Sequence, residues 1–318
     1  MRVGVLMTCF NEGAYIEAAV RSVLDQTEAA AVRRLVIIDD GSAPATIEVL
    51  QQVSRLDGRI DIVYGPGGYG LPKNRNLAAA RCLDCDVLAL LDGDDLWGPD
   101  KLEKQLAVLA ARPDIGLTYT GYSTFANDDL TTARPARVLN LDGARDLTRR
   151  YFLNDPPIMP SSVVMRRDAF QTVDGFDASI RVFEDTDFYL RLSRITGFCA
   201  VDEPLIFKRT HSASITGDKT RLMAHHAAVA FAFAATEPRL LALAPKRLSE
   251  RARKLANVQF MLGVNDHAVR LYRLATALDL SNLRAWAGLG LAWLGAGPLR
   301  GVFARLLRRR ASALGGGR

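Results

Sequence analysis

A chain of 318 residues, 49% hydrophobic and 24% charged, has the composition of an ordinary globular protein, with room for one large domain plus an appendage. Four cysteines, Cys9, Cys82, Cys85 and Cys199, are too few and too scattered for a disulfide framework and fit a reducing compartment. The net charge of +6 conceals a division, because Lys246 to Arg318 holds 14 Lys and Arg against only Glu250, Asp266 and Asp279, which leaves the rest of the chain acidic. An acidic body with a basic tail argues against a nucleic-acid binder, whose basic residues line the working surface, and makes anionic membrane lipid the expected partner of the tail.

In chain order, Met1-Arg2-Val3-Gly4-Val5 runs straight into a strand without the apolar stretch and cleavage site of a secretory signal, so the expected location is the cytoplasm. The apolar runs at residues 3–7, 35–38 and 87–91 read as strands ending at Thr8, Asp39 and Asp92. Helical spacing follows each, over residues 15–24, 45–56 and 102–109. Gly65-Pro66-Gly67-Gly68-Tyr69-Gly70 reads as a flexible connector between a strand and a helix over 74–81. Cys82 and Cys85 form a CxxC without a second pair, and packing is the expected role. Short apolar strands alternating with helices predict a mostly parallel sheet covered on both faces. Ligands of such sheets bind beyond the carboxyl ends of the strands, so residues 8–12, 39–42 and 92–95 should converge. No P-loop or GxGxxG turn is present.

Asp92, Asp94 and Asp95 offer hard oxygen ligands for magnesium or manganese, with the competing reading that Asp95 or Asp100 caps the next helix. Residues 118–207 have shorter strands and more loop, including a strand over 161–165 after Pro160. Glu184-Asp185-Thr186-Asp187 opens an amphipathic helix over 188–195 with more carboxylates than a cap requires. Past Leu222 the chain reads as helical. Leu262-Gly263 and Leu294-Gly295, with Ala268, Tyr272, Ala275 and Ala277 between them, approach the spacing of the tetratricopeptide repeat. Residues 291–310 read either as a basic amphipathic helix at a membrane surface or as a helix packed on the catalytic domain, and are too broken by Gly, Pro and Arg to span a bilayer.

Thr8-Cys9-Phe10-Asn11-Glu12, Ser22-Val23-Leu24-Asp25-Gln26-Thr27, Ile38-Asp39-Asp40-Gly41-Ser42, Leu91-Asp92-Gly93-Asp94-Asp95 and Phe183-Glu184-Asp185, in this order and spacing, resemble the inverting family 2 glycosyltransferases of GT-A fold. The resemblance covers about residues 1–215. It implies an α/β catalytic domain with a nucleotide-sugar-binding half (1–117) and an acceptor-binding half (118–215); beyond it, charge and helical pattern make residues 216–318 a basic helical extension, either tetratricopeptide-like or membrane-surface. It also implies transfer of one sugar from a nucleotide-diphosphate donor, a UDP-sugar being favoured, to a glycan or lipid-linked hydroxyl acceptor in cell-envelope polysaccharide or glycolipid biosynthesis, with Mn2+ or Mg2+ as cofactor.

By the same resemblance, Thr8 and Glu12 belong to the donor pocket, Asp40 accepts a hydrogen bond from the base, and Arg75 supports the diphosphate or the donor site. Asp94 is the metal ligand, Asp92 faces ribose or a metal-bound water, and His211 helps to bind metal or diphosphate. Asp185 is the catalytic base, with Glu184 orienting it or binding the acceptor. His225-His226 carry no expected role. The chain lacks the QxxRW motif and membrane spans of polymer-making members, so a processive synthase is disfavoured; the expected place of action is the cytoplasm, peripheral to the inner face of the membrane. Two alternatives are a sugar nucleotidyltransferase, opposed by the lack of a basic glycine-rich N-terminal loop, and a noncatalytic scaffold, opposed by the intact acidic motifs.

Overall fold

The computed structural model describes residues 1–126, 129–136, 139–154, 156–210 and 219–293. Two compact units divide the chain: Met1–Tyr151 with Pro156–Ser214, and Phe152–Asp155 with Ile215–Arg318.

The first unit is built on strands β1 (Val3–Cys9), β2 (Val32–Asp39), β3 (Ile60–Tyr64), β4 (Val87–Asp92), β5 (Leu96–Trp97), β6 (Ile115–Ala126), β7 (Asp129–Ala136), β8 (Val164–Arg166) and β9 (Gly197–Thr210). Their order in one sheet is β3-β2-β1-β4-β8-β6-β9-β5, with β7 paired to β6. The pairs β1·β2, β1·β4, β2·β3 and β6·β9 are parallel, whereas β8 runs antiparallel to both β4 and β6. The expected parallel half therefore spans β3 to β4, and β8 reverses the direction beside it. Strand β8 is shorter than the 161–165 run suggested, because Pro160–Ser162 forms a 3-10 turn first.

Helices α1 (Ile16–Leu24), α2 (Pro44–Val53), α3 (Gly70–Ala80) and α4 (Lys101–Ala111) follow β1 to β5. Alternation along the strands sorts their faces. Val3, Val5, Met7 and Cys9 of β1 cluster with Leu35 and Ile37 of β2, Ala89 and Leu91 of β4, and the apolar faces of α1, α2 and α4. On the opposite face Gly4 meets the CxxC turn after α3, where an added Cβ would lie 2.6 Å from Cys82 Sγ. Cys82 and Cys85 are free and buried there, in the packing role expected of them.

Helices α6 (Arg167–Thr172) and α7 (Glu184–Leu192) and the first part of α5 (Leu147–Asn154) complete the sheet unit. The second unit holds α8 (Lys219–Ala235), α9 (Pro238–Leu241), α10 (Ala244–Leu262), α11 (Asn265–Leu278) and α12 (Leu283–Trp293). Gly263 ends α10 in the left-handed region, at φ 89°, the backbone state that lets α11 turn back. Ala256, Phe260, Ala268, Tyr272 and Ala292 form a core in which Gly288 lies against the Tyr272 ring. Of the repeat-like residues, Ala268, Tyr272 and Ala275 are buried and Ala277 is exposed; Leu294-Gly295 lie outside the described residues, as does most of 291–310. Among the described residues no helix is long and apolar enough to cross a membrane.

One buried charge site stands apart from the expected chemistry. Lys101 opens α4 wholly buried, its Nζ 4.0 Å from the Trp97 ring centroid and without a hydrogen-bond partner among the described residues. Burial pushes its pKa well below the ordinary lysine value of 10.5, so folding favours the neutral amine. The unfolded chain binds the proton that the folded chain rejects, so this group makes stability rise with pH up to the unfolded pKa of 10.5. Lys101→Met keeps the apolar stem and removes the amine. It should stabilise the protein by about 1–3 kcal/mol at pH 7, with the gain shrinking toward pH 10; denaturant midpoints at both pH values measure it, and a loss at pH 7 would show that the Trp97 contact outweighs desolvation.

Candidate active site

Parallel register brings three strand ends level. Thr8 pairs with Ile38 of β2 and Asp92 of β4, and Cys9 with Asp39. The loops beyond them are tied together: Asp40 N donates to Cys9 O at 2.9 Å, Asn11 N to Ser42 Oγ at 2.8 Å, and Ala43 N to Asn11 Oδ1 at 2.8 Å. Asn11 holds a left-handed φ of 57° to make this junction.

The glycine-rich stretch is not a loose connector. Gly65 N donates to Asp39 O at 2.8 Å, and a Cβ on Gly41, itself at φ 80°, would lie 2.7 Å from Gly67 Cα. Only two glycines allow the backbones to lie this close. The Asp40 carboxylate then receives the Tyr69 and Gly70 amides, each at 2.9 Å, where α3 begins. Asp40 thus fixes the entry to α3, and any base it reads must use its remaining lone pairs.

Asp92, Asp94 and Asp95 occupy different environments. Asp92 Oδ1 accepts from Arg75 Nη2 at 2.9 Å. Asp95 is buried, accepting from Ser161 Oγ at 2.7 Å and from Arg209 N at 3.1 Å. It is therefore a strand-to-strand staple, not a helix cap; the residue before α4 is Asp100, which makes no side-chain cap bond and pairs with Lys104 at 2.6 Å instead. Asp94 is half-buried, and its backbone carbonyl accepts from Arg209 Nε at 3.0 Å. Burial pushes Asp95 up to about 7, with Asp94 and Asp92 acting in the same direction against Lys208. Burial and then the charges of Asp94 and Asp92 push Glu12 to about 9. Among the described residues the buried Glu12 Oε2 has no hydrogen-bond partner, and a Cβ on Gly93 would collide with it.

These carboxylates fit a divalent cation. An orphaned carboxylate oxygen beside three aspartates in a cluster that resists full ionisation is an oxygen-rich site suited to magnesium or manganese. Among the described residues no three His, Cys, Asp or Glu side chains are disposed to hold a metal by themselves. His211 lies outside the described residues.

A second acidic pair comes from α7. Its first turn carries Glu184, Asp185 and Asp187 rather than following them, so the helix starts four residues earlier than its apolar pattern indicated. Phe183 precedes it at φ 63°, a strained position for a bulky residue. Glu184 is buried and accepts from Arg75 Nη1 at 2.6 Å, so one guanidinium joins Glu184 to Asp92. Asp185 is half-buried; its Oδ1 accepts from its neighbour's amide, Thr186 N, at 2.7 Å. Burial pushes Asp185 up to about 7, Glu184 adds to the rise and Arg75 opposes it. A carboxylate with that pKa accepts protons efficiently near neutrality.

Sequence reasoning passed over two cations. Arg209, at the end of β9, lies between the Tyr15 and Phe125 rings, with centroids 4.4 and 4.6 Å from its guanidinium carbon. Burial pushes the neighbouring Lys208 ammonium down, but Asp95, Asp92 and Asp94 outweigh it and leave its pKa raised. Their signal was legible as adjacent basic residues ending an apolar strand, next to His211. Ser161, which donates to Asp95 and accepts from Asp92 N at 3.1 Å, had no signal beyond the preceding proline.

Aspartates thus lie beyond a parallel sheet, and Arg75 joins them to a helix whose first turn bears a carboxylate of raised pKa. Residues 4–174 match the family described as Glycosyl transferase family 2, and the chain belongs to that family. Over 126 residues it is 40% identical to TuaG of Bacillus subtilis, a glycosyltransferase named for teichuronic acid biosynthesis; the match covers 40% of this chain and 48% of TuaG, so it spans about half of that relative's length. Its fold is similar to that of S. aureus TarS in complex with UDP-GlcNAc, with a TM-score of 0.61, 15% identity, and 93% and 92% of the two chains covered. A mannosyltransferase of Pyrobaculum calidifontis, PcManGT, solved with GDP-Man and Mn2+, has a TM-score of 0.62 at 15% identity, with 98% and 86% covered. The fold is the GT-A fold expected from the motifs.

Removing the shared guanidinium tests the centre of this arrangement. Arg75→Ala leaves Glu184 buried without its partner and should destabilise the protein by about 3–5 kcal/mol. Adding Glu184→Gln should recover part of the loss. Urea unfolding of both variants measures it, and a single variant of unchanged stability would show that the ion pairs carry no structural weight.

Proposed function

We propose that the chain is a metal-dependent, inverting glycosyltransferase that moves one sugar from a nucleotide-diphosphate sugar to a hydroxyl acceptor. The observation that carries the reading is the buried Arg75 fork, which links the end of β4 at Asp92 to the start of α7 at Glu184, next to Asp185. The fork supports placing donor and base in one site. Thr8, Glu12 and Asp40 form the donor end, with Asp40 reading the base. Arg75 acts on the donor through Asp92, not by direct contact with a diphosphate, because its guanidinium is buried between two carboxylates.

Asp94 and Asp92 would hold Mn2+ or Mg2+, with the donor diphosphate and, by family resemblance, His211 completing the shell. When bound, the ion supplies Lewis-acid stabilisation of the negative charge that gathers on the departing diphosphate. Lys208 adds a fixed positive charge beside the same carboxylates. Asp185 takes the proton of the acceptor hydroxyl as its oxygen forms a bond to the anomeric carbon and the bond to the diphosphate oxygen breaks. One displacement from the opposite face inverts the anomeric centre. Glu184 orients Asp185 through the shared helix turn.

A UDP-sugar is the favoured donor, supported by the UDP-GlcNAc complex of TarS; the GDP-Man and Mn2+ of PcManGT support the metal and keep a guanine donor as the alternative to be tested. The acceptor is a glycan or lipid-linked intermediate of the cell envelope, a reading supported by the name of TuaG. The basic residues of the extension support peripheral attachment to an anionic membrane at the cytoplasmic face.

Asp185→Asn should keep donor affinity and slow transfer about 100- to 10,000-fold. In the unsubstituted enzyme kcat/KM should rise with pH through about 7, because Asp185 must be ionised to accept the proton. Near-normal turnover of the variant removes Asp185 from the role. Asp94→Ala should abolish the manganese dependence of nucleotide binding in calorimetry, and equal metal enhancement in both proteins would reassign the ligand.

A further inference from the structure

Tyr189 lies one helical turn beyond Asp185 on α7, wholly buried, and its hydroxyl has no hydrogen-bond partner among the described residues. Folded interiors rarely leave a phenol unpaired. Edge-on contacts with Tyr151 and Phe198, at centroid separations of 6.1 and 6.5 Å, hold the ring and prevent it from turning out to water. Side chains on an α-helix lean toward its N-terminus, so residue i+4 reaches back over residue i. Asp185 and Tyr189 stand in this i, i+4 relation on α7. Burial and the Asp185 charge push the phenol well above its ordinary range, with Arg75, Asp92 and Glu184 also acting on it, so it stays a hydrogen-bond donor.

Asp185 has a matching need. Its Oδ1 is engaged by Thr186 N, and its Oδ2 has no partner among the described residues. A base held through one oxygen by its own helix still rotates about its side-chain bond, which spreads the direction in which it accepts a proton. We infer that Tyr189 is a positioning residue for Asp185: in the reactive complex its hydroxyl, unpaired among the described residues of this structure, donates to Oδ2 and fixes the carboxylate plane against the acceptor hydroxyl. Each carboxylate oxygen keeps a second lone pair, so the bond does not block the proton transfer. Hydrogen bonds of this kind are often loose without substrate and tighten in the reactive complex. The inference rests on the reading of Asp185 as the base.

Tyr189→Phe removes the hydroxyl and keeps the ring. It should lower kcat about 10- to 100-fold, the effect of losing one hydrogen bond to a charged group, while KM for the donor and the thermal midpoint stay unchanged. In the Asp185→Asn background the same change should cost little more, because its target is gone. An unchanged kcat, a fall in thermal midpoint that accounts for the lost activity, or a full multiplicative loss in the double variant overturns the role of Tyr189. Normal turnover of Asp185→Asn alone overturns the base assignment instead, so the two failures are told apart.

Discussion

The Arg75 guanidinium, wholly buried between Asp92 and Glu184, is the constraint on which the geometry of the site depends. Burying a cation is costly unless its hydrogen-bonding capacity is met, and here two carboxylates from different elements meet it. Arginine suits the task because its planar fork presents two donors at a fixed spacing, whereas a lysine would offer a point charge with no preferred separation between partners. The distance between the end of β4 and the start of α7 is thereby set by the width of one guanidinium. Asn76 adds a second fastening from the same helix, donating to Phe176 O at 2.7 Å and accepting from Phe176 N at 2.9 Å, while the Phe176 ring stacks on Phe188 of α7 at 4.3 Å. Helix α3 thus holds α7 by a charge and, through Phe176, by ring stacking.

Strain is placed where this fastening can sustain it. Among the described residues the non-glycine positions at positive φ are Asn11, Asp174 and Phe183. Each borders the site: Asn11 joins the first two strand-end loops, Asp174 precedes the Gly175 that packs against Asn76, and Phe183 leads directly into Glu184. A left-handed phenylalanine costs roughly 1–3 kcal/mol. Its carbonyl accepts from Thr186 N at 3.1 Å and Asp187 N at 3.3 Å, so the first turn of α7 and the Glu184 ion pair keep the residue in a conformation it would leave if free.

The parallel half of the fold was legible because its strands are continuous apolar runs that end in polar turns, and burial of both faces permits nothing else. The edges of those runs were read short: β1 extends to Cys9 and β2 starts at Val32, since pairing continues through residues whose side chains are polar. The 14 residues of β9 had no such signal, being interrupted by Asp202, Glu203 and Pro204. Spacing alone placed Asp92 and Asp185 at the right ends of their elements, but gave no sign that Arg75 is engaged by both acidic motifs or that Asp95 turns inward. Those facts depend on contacts over 109 and 114 residues of sequence separation, which local pattern does not encode. The glycine-rich stretch was misread for the opposite reason: composition suggested freedom, whereas glycine here permits contact between two backbones.

The acidic cluster gives the site a built-in order of dependence. Glu12 and Asp95 have pKa values of about 9 and about 7 because burial and their neighbours Asp92 and Asp94 resist a further negative charge. On the proposed reading, a nucleoside diphosphate would add negative charge to the same place and by itself meet repulsion that Lys208 and Arg209 only partly offset. A divalent cation would lower that repulsion, and the diphosphate would supply oxygen ligands that the described carboxylates do not supply alone. Each would then raise the affinity of the other by the same factor. The acidity of the turn after β4 is therefore more than capping requires, and on that reading it makes donor binding conditional on the cation.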